Sequence, residues 1–398
     1  MKTLKAIKEN RIFFVTFGVL MFVSLAYLLQ KESIHYIDDY YYPMYVVNYK
    51  CGLSSRLLVG SVFSLFIRDR LSIDVLIHVL LAVYFAVCFL FSLLVNNYLK
   101  KTKFEAVGIY ALLMTASPVF LSFIRYMGIV DIFWMFFVFG SVAAVSKRGW
   151  RWLVPVFCVI SLAIHEVFAI AYLPIIAVMI FYQYAKKPDV LSFIYLAVSA
   201  VIIGAAGLYF IVIGDSTMNM TSDELVAFAR DRLDEQGRNF DDYYIRSTLY
   251  WETADVEEYN GILGYINYNF NKYVLGYNGL QSVLYFLVSD ILLCIPYGWL
   301  ILSSLRKATK PLLKIAFLCA VTVIPISLFN LFISSDTERF SMHLLLSVLM
   351  MLLFLIREKD SSFSEAYDNA LLKVRENSTA SVFIGFSALM IVLWGVKF

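Results

Sequence analysis

The sequence predicts an all-α polytopic membrane protein with about eleven transmembrane helices. Hydrophobic residues make up 61% of the 398 residues, and the mean hydropathy is +0.75, whereas soluble domains contain about 45–50% apolar residues. The apolar runs are long and continuous, which indicates helices, since the strands of a membrane barrel alternate over about 10 residues. The net charge is only +3, which argues against a nucleic-acid partner.

Eleven apolar runs approach the length of about 20 residues that a helix needs to cross a membrane. The first follows a basic segment and is longer than a signal-peptide core of about 7–15 residues, so we expect it to remain uncleaved. The fifth is short, and we expect its outer end to lie below the membrane surface. The predicted spans are 12–29, 72–97, 104–124, 127–146, 152–164, 167–184, 189–213, 278–304, 311–333, 340–356 and 380–396.

The basic residues predict how these spans are oriented. Six short segments hold 20 of the 33 Lys and Arg residues, and short loops rich in these residues stay in the cytoplasm. We therefore expect a cytoplasmic N-terminus, an extracytoplasmic C-terminus and a multi-pass protein of a bacterial plasma membrane. The six segments are 1–11, 98–103, 147–151, 185–188, 305–314 and 357–379.

Two long polar segments on the outer side predict the domain organisation. Residues 1–213 form a seven-span core, residues 214–275 an extracytoplasmic loop, and residues 276–398 the C-terminal membrane helices. The first outer segment, 30–70, contains the apolar run 57–67, which is too short to span and predicts an interfacial helix. The 214–275 segment has 12 Asp and Glu against 5 Lys and Arg, so we expect either a folded cap over the outer face or a loop.

Charged residues and histidines gather at the predicted outer face. A charge near a helix centre costs roughly 2.5–3.5 kcal/mol, so this gathering predicts a polar cavity at that face. Its members are Asp38, Asp39, Arg56, Arg125, Asp131, His165, Glu166, Asp336, Glu338, Arg339 and His343.

Asp38 and Asp39 are the candidate catalytic bases. They follow the first span within an aromatic run. Partial desolvation of a carboxylate raises its pKa and its strength as a general base. The alternative is that the two acids simply begin a solvated loop.

Three arginines at span ends, Arg56, Arg125 and Arg339, are candidates for binding a phosphate. A guanidinium holds phosphate through two parallel hydrogen bonds, although each arginine is also placed to reach lipid headgroups. Arg339 is the strongest candidate, because helical spacing puts Asp336, Arg339 and His343 on one face. The acid would then orient the guanidinium.

Asp131, His165 and Glu166 interrupt apolar stretches. An acid as deep as Asp131 indicates a substrate-binding role or a structural ion pair with Arg125 or Arg339. Of the adjacent pair His165 and Glu166, we expect one to face the cavity and the other to pack against a helix or cap one.

A divalent metal is left open as a cofactor. The candidate ligands are Asp38 or Asp39, Asp131, and His165 or Glu166. Their spacing matches no recognised ligand motif, so no cofactor is assigned.

This layout resembles the GT-C superfamily of polytopic glycosyltransferases, which use polyprenyl-phosphate-linked sugars. Members have an acidic residue in the first outer loop, amphipathic helices along the membrane, a seven-span core and a large outer loop. Asp38 and Asp39, the 57–67 helix, seven spans and the 214–275 segment follow that order. The segment Asp336–Arg339 resembles late outer-facing motifs of lipid-linked-sugar enzymes. The sequence has no Asp-x-Asp pair and no full signature of the oligosaccharyltransferase or protein mannosyltransferase branches.

The resemblance implies a glycosyltransferase acting at the extracytoplasmic face. Asp38 or Asp39 would activate the acceptor, and Arg339 with Arg56 or Arg125 would hold the lipid phosphate. The implied partners are a polyprenyl-phosphate-linked sugar donor, membrane lipids, and a glycan, lipid or protein acceptor. The other substrate-binding candidates are Asp131, His165, Glu166, Asp336 and His343.

Two other functions fit the same sequence features. One is a cell-surface polysaccharide polymerase or ligase, in which arginines on the outer face also bind lipid-phosphate donors. The other is a transporter of a lipid or solute. Secondary transporters often show inverted repeats and sites at the membrane midplane, whereas this sequence shows no inverted repeat and places its charges at one face.

Overall fold

A computed structural model of the chain describes residues 10–31, 37–67, 69–100, 102–116, 123–213, 217–250, 271, 277–333 and 337–377. The predicted last span, 380–396, and Asp336 lie outside these residues. The regular elements within them are helical, as the sequence predicts. The α-helices are α1 (Arg11–Lys31), α2 (Leu58–Ser64), α3 (Ile73–Leu99), α4 (Glu105–Ala116), α5 (Trp134–Val145), α6 (Leu153–Ile164), α7 (Phe168–Ala171), α8 (Leu173–Lys186), α9 (Val190–Leu208), α10 (Ser222–Arg232), α11 (Tyr277–Lys307), α12 (Pro311–Ile333), α13 (Thr337–Glu358) and α14 (Ser361–Glu376).

Several of these helices are compatible with a membrane-embedded protein. Within the described part of the chain, four helical stretches are long and apolar enough to cross a membrane: Arg11–Leu29, Ile73–Leu99, Val190–Ile213 and Arg339–Glu358. Each coincides with a predicted span. The total of eleven spans remains a prediction.

Helix α13 lies at the centre of the bundle. Almost all of its apolar stretch is buried, and it packs against α3, α4, α5, α7, α8, α11, α12 and α14. A polar side chain on a helix so enclosed must find its partners on neighbouring helices, because unsatisfied buried polar groups are costly. Helix α13 carries Arg339 and His343, two of the predicted site residues.

Helix α9 lies at the perimeter instead. Little of the Val190–Ile213 stretch is buried, and side chains such as Val201 and Val212 are exposed. Among the described helices, it packs mainly against α6 and α8. Apolar exposure of this extent suits a helix that faces lipid.

The predicted span 167–184 is divided at Tyr172. Helix α7 ends at Ala171 and α8 begins at Leu173, with Tyr172 between them at φ −126°. Pro174 lies in the first turn of α8, where proline is well tolerated because that position needs no backbone donor. The break places the Tyr172 hydroxyl against His343 of α13.

The helices bring polar segments to two ends of the bundle. Helix α8 shows this, since Tyr172 at its start contacts His343 early in α13, while Lys186 at its end pairs with Glu358 at the end of α13. We call the first the aspartate end and the second the lysine end. The aspartate end comprises 37–67, 69–72, 123–131, 163–172, 217–250 and 339–347. The lysine end comprises 98–100, 102–106, 146–152, 182–191, 307–311 and 357–376.

The two predicted outer segments pack against each other at the aspartate end. The Asn219 N–H donates to the Cys51 carbonyl at 2.8 Å, and the Leu53 N–H donates to the Thr217 hydroxyl at 3.0 Å. Leu71 and Leu233 form a parallel bridge. The described part of 214–275 is therefore folded against the first loop.

The interfacial run 57–67 forms a shorter helix than its apolar length suggests. Helix α2 packs so closely on the first loop that a Cβ added at Gly60 would lie 1.9 Å from the Val47 carbonyl oxygen. The chain then leaves the helix at Leu65 and Phe66, which are 77% and 80% exposed. These two side chains give the loop an apolar tip, as expected for an interfacial position.

Helix α14 at the lysine end lies in a segment that the sequence analysis treats only as a basic loop. Asp360 caps it by accepting a hydrogen bond from the Phe363 N–H at 2.7 Å. Phe363 and Tyr367 of its buried face contact the ring of Phe104. The apolar residues of an amphipathic surface helix recur with a period of about 3.6 residues and form no long apolar run, so a search for membrane spans does not find such a helix.

Candidate functional site

The candidate site centres on Asp131, which is buried. It lies in the short 3₁₀ turn Val130–Phe133 that leads into α5. A carboxylate is favoured there, because the first turn of a helix carries unsatisfied N–H groups and the positive end of the helix dipole. Trp134 fixes the turn by donating its indole N–H to the Ser161 carbonyl at 2.9 Å.

Asp131 joins two side chains of α13. Its Oδ2 lies 3.4 Å from Arg339 Nε and 3.3 Å from His343 Nε2. The sequence is compatible with a pair between Asp131 and either Arg125 or Arg339, and the structure places Asp131 against Arg339. Asp131 Oδ1 is buried without a hydrogen-bond partner in the described part of the chain.

The contacts of His343 define its tautomer. A carboxylate only accepts hydrogen bonds, so His343 Nε2 donates its proton to Asp131. The Nδ1 atom then accepts from the Tyr172 hydroxyl, 2.8 Å away. Tyr172, hidden in the sequence within an apolar run, therefore completes a buried Asp–His–Tyr chain.

His165 and Glu166 lie in the break between α6 and α7, where their side chains serve different partners. His165 has an extended backbone that ends α6, and its ring packs edge-on to Trp134 with centroids 5.7 Å apart. Glu166 accepts hydrogen bonds from Arg56 Nε at 2.9 Å and from the Ser55 hydroxyl at 2.7 Å. His165 therefore packs against an aromatic ring, while Glu166 binds a cation, a pairing that the sequence does not predict.

Arg56 is held in an unusual conformation. Its φ of 70° lies in the left-handed region, which costs a non-glycine residue about 1–2 kcal/mol. The Arg56 N–H donates to the Ala163 carbonyl at 3.1 Å, and the guanidinium binds both oxygens of Glu166. Strain of this kind is typical of functional sites.

Burial and pairing set the ionisation of this pair. Burial alone would lower the pKa of Arg56, but Glu166 raises the Arg56 pKa above its ordinary value. Burial alone would raise the pKa of Glu166, but Arg56 holds the Glu166 pKa well below its usual range. Burial lowers the pKa of His165 to about 4, although Glu166 opposes this. The pair is therefore ionised and His165 is neutral at pH 7.

Asp38 and Asp39 begin the 3₁₀ helix Asp39–Tyr45 at the exposed rim of the site. Asp38 caps this helix by accepting from the Tyr40 N–H at 3.1 Å. Burial and the neighbouring Asp38 carboxyl raise the pKa of Asp39 above 3.8. A carboxylate with a raised pKa is a better proton acceptor.

Gly128 connects the rim to the buried acid. The Tyr45 hydroxyl donates to the Gly128 carbonyl at 2.8 Å, three residues before Asp131. A Cβ at Gly128 would lie 2.5 Å from side-chain atoms of Ile37 and Tyr41. The first loop therefore approaches the Asp131 turn as closely as it does because residue 128 has no side chain.

The structure brings most of the predicted site residues to the aspartate end, in three adjoining groups. Asp38 and Asp39 form the rim, and Arg56 and Glu166 form a half-buried pair. In the interior, Asp131 meets Arg339 and His343, and both His343 and His165 pack against Trp134. Asp336 lies outside the described residues. Arg125 is exposed, and its guanidinium lies over the Tyr126 ring at 5.6 Å, so it belongs to the surface rather than to the buried groups.

The arrangement does not supply a ready metal centre. Within the described ranges, no group of three or more His, Cys, Asp or Glu side chains is placed to hold a metal ion. The candidate ligands of the sequence analysis are engaged otherwise, since Glu166 binds Arg56 and Asp131 binds Arg339.

Known proteins provide no assignment for the chain. No protein-family model, no curated protein and no solved structure matches it. The candidate function therefore depends on the geometry of the aspartate end and on the architectural resemblance.

Proposed function

We propose that this chain is a membrane glycosyltransferase that moves a sugar from a polyprenyl-phosphate-linked donor to an acceptor hydroxyl at the extracytoplasmic face. The observation that carries the proposal is the packing of the first loop at the aspartate end. The first loop carries the Asp38–Asp39 rim and the strained Arg56, and Tyr45 of this loop binds the Gly128 carbonyl, three residues before the buried Asp131 that pairs with Arg339.

The proposed transfer needs a base and a cation. Asp38 or Asp39 takes the proton of the acceptor hydroxyl, the acceptor oxygen bonds to the anomeric carbon, and the bond from that carbon to the phosphate oxygen breaks. The electron pair leaves with the phosphate, where a guanidinium stabilises the charge. Arg56 and Arg339 supply guanidinium groups at the same end of the bundle, each already oriented by a carboxylate.

Lipid binding tests the phosphate site first. Native mass spectrometry of the purified protein should show a bound polyprenyl phosphate on the wild type and less of it on Arg339→Lys, which keeps the charge beside Asp131 but loses the planar fork. The matched control is Arg357→Lys, at the exposed far end of the same helix. Equal lipid on all three proteins would contradict the role of Arg339.

Turnover tests the reaction itself. Release of polyprenyl phosphate from polyprenyl-phosphate-sugar donors, by protein in nanodiscs, should be abolished in Asp39→Asn or Asp38→Asn and retained in Asp69→Asn, an exposed acid of the same loop. Chain length of the product separates a transferase, which adds one sugar, from a polymerase or ligase. Full activity of both Asp38 and Asp39 variants would refute the base assignment.

Transport is the second candidate, and the buried Asp131–His343–Tyr172 chain favours it. Ionisable groups inside a helix bundle often carry protons in transporters. Uptake of a solute into proteoliposomes without covalent change, lost in His343→Gln, would favour transport over transfer.

A further inference from the structure

The tetrapeptide Asp-Asp-Tyr-Tyr occurs twice in this chain, at 38–41 in the first loop and at 241–244 in the acidic segment. Both copies fold alike at their start. The first aspartate accepts a hydrogen bond from the N–H two residues on, at 3.1 Å from Asp38 to Tyr40 and at 2.9 Å from Asp241 to Tyr243. These short-range bonds hold each backbone and its tyrosine in place.

The two copies meet at the aspartate end. The ring of Tyr40 lies 5.6 Å from that of Tyr244, edge to face, and 6.0 Å from that of Tyr243. Tyr244 is buried and anchors this contact, whereas Tyr243 is 51% exposed. An aromatic surface made from two distant parts of the chain therefore stands beside the candidate base Asp39.

The second copy differs from the first in its charge balance. Arg246 binds Asp242 at 2.9 Å and Asp223 at 2.6 Å, so the second aspartate of this copy is neutralised. In the first copy the equivalent residue is Asp39, which stands beside the Asp38 carboxyl. The 241–244 copy is thus suited to holding its tyrosines, and the 38–41 copy to acting on a hydroxyl.

An exposed aromatic ring beside carboxylates suits a sugar. The ring covers the apolar C–H face of a pyranose, and the carboxylates accept hydrogen bonds from its hydroxyls. The carboxylates of Asp38, Asp39 and Asp241 repel a sugar that carries a negative charge. We infer that the paired Asp-Asp-Tyr-Tyr segments form an acceptor subsite for an uncharged pyranose, which stacks on Tyr243 and directs a hydroxyl to Asp38–Asp39. This inference rests on the proposed glycosyl transfer.

Sugar binding tests the subsite without the lipid donor. Saturation-transfer NMR on the full chain in nanodiscs, which avoids sugar-based detergents, would use methyl pyranosides of glucose, galactose, mannose and N-acetylglucosamine, with methyl glucuronide as the charged probe. We expect saturation transfer to at least one neutral pyranoside and none to the glucuronide. Tyr243→Ala should weaken binding about tenfold, the size of a lost ring contact, while Tyr243→Phe keeps it.

Tyr184→Ala is the matched control, because Tyr184 is a half-buried tyrosine towards the lysine end. Equal binding of glucuronide and glucoside, binding unchanged in Tyr243→Ala, or no binding of any pyranoside by the wild type would overturn the subsite. The proposed function fails separately. If sugar binding depends on Tyr243 but no polyprenyl phosphate is released, the subsite is supported and the proposed transfer is contradicted. If polyprenyl phosphate is released but the KM for the acceptor is unchanged in Tyr243→Ala, the transfer is supported and the subsite is contradicted.

Discussion

Two ion pairs, one from each end of the bundle, differ in how far they are removed from water. At the lysine end, Lys103 and Asp368 lie 2.5 Å apart with about half of each side chain exposed. At the aspartate end, Asp131 and Arg339 are 3% and 14% exposed. Exposed pairs contribute about 0.2–1 kcal/mol, whereas buried charges carry a desolvation cost of several kcal/mol. The Lys103–Asp368 pair is therefore an ordinary surface pair, whereas the Asp131–Arg339 pair keeps charges that stability alone does not require.

Backbone strain differs between the ends in the same way. Lys359 at the lysine end has φ 51° and directly follows α13, where a left-handed residue is the common way to end a helix. Arg56 has φ 70° but follows no helix. Its conformation serves the position of its side chain on Glu166.

Breaking the half-buried pair should have the largest effect. Glu166→Gln leaves the Arg56 charge buried without its counter-ion, so we expect a loss of about 3–5 kcal/mol in the free energy of unfolding. The matched change at the lysine end, Asp368→Asn, should cost less than about 1 kcal/mol. Reversible unfolding in mixed detergent micelles measures both.

The pH dependence of this loss has a definite sign. The pKa of Glu166 is lower in the folded protein than its ordinary 4.5, so its contribution is complete above that value and is lost as the pH falls towards the folded pKa. The difference between wild type and Glu166→Gln should therefore shrink below about pH 4.5. A difference that grows on acidification would show that the pair does not stabilise the fold.

A double-mutant cycle measures the interaction energy between the buried side chains of Asp131 and Arg339. Asp131→Asn or Arg339→Gln alone leaves one buried charge, and the double variant removes both, so we expect a coupling energy of about 1–3 kcal/mol. The matched cycle on Lys307 and Glu365, whose acid is 63% exposed, should give less than about 1 kcal/mol. Equal coupling in the two cycles would mean that burial does not distinguish the ends.

Gly128→Ala tests the contact between the first loop and the Asp131 turn. The added methyl group meets Ile37 and Tyr41, and overpacking of this kind costs about 1–3 kcal/mol. Gly204→Ala in α9 is the control, since nothing lies within 4 Å of its added Cβ and alanine is favoured over glycine inside a helix by about 1 kcal/mol. Thermal unfolding should move in opposite directions, and a stabilised Gly128→Ala would contradict the close approach.

The sequence predicts many of the helices and charged residues that differ between the two ends, and there are physical reasons why it does not predict the others. The long runs of α1, α3 and α9 are visible because membrane-spanning helices are apolar over their whole length. The charges that meet at Asp131 are visible because an acid in an apolar run is rare. Tyr172 is not, since a tyrosine among apolar residues has no distinguishing pattern until folding brings His343 to its hydroxyl.

The partners of each charge also depend on contacts between distant residues. Glu166 meets Arg56 across 110 positions, and no sequence pattern pairs these two residues. Helix α14 is missed because its amphipathic period lies in a segment that the charge count marks only as basic. The repeated Asp-Asp-Tyr-Tyr is legible in the sequence, but its meaning comes from the contact of Tyr40 with Tyr243 and Tyr244.

The smallest effect on stability should come from Asp39→Asn. The sign of this change in the free energy of unfolding indicates whether Asp39 stabilises the fold. The pKa of Asp39 is raised in the folded protein, chiefly by burial and by Asp38, so ionisation opposes folding once the pH passes its ordinary 3.8. Asp39→Asn should match the wild type in strong acid and become slightly more stable than it as the pH rises through the raised pKa. Unfolding curves at several pH values measure this difference in stability.

If Asp39→Asn is more stable than the wild type and no longer releases polyprenyl phosphate, Asp39 serves the reaction at the expense of stability, as expected where activity and stability are in conflict. If it loses stability at neutral pH instead, Asp39 is a structural acid like those of the lysine end.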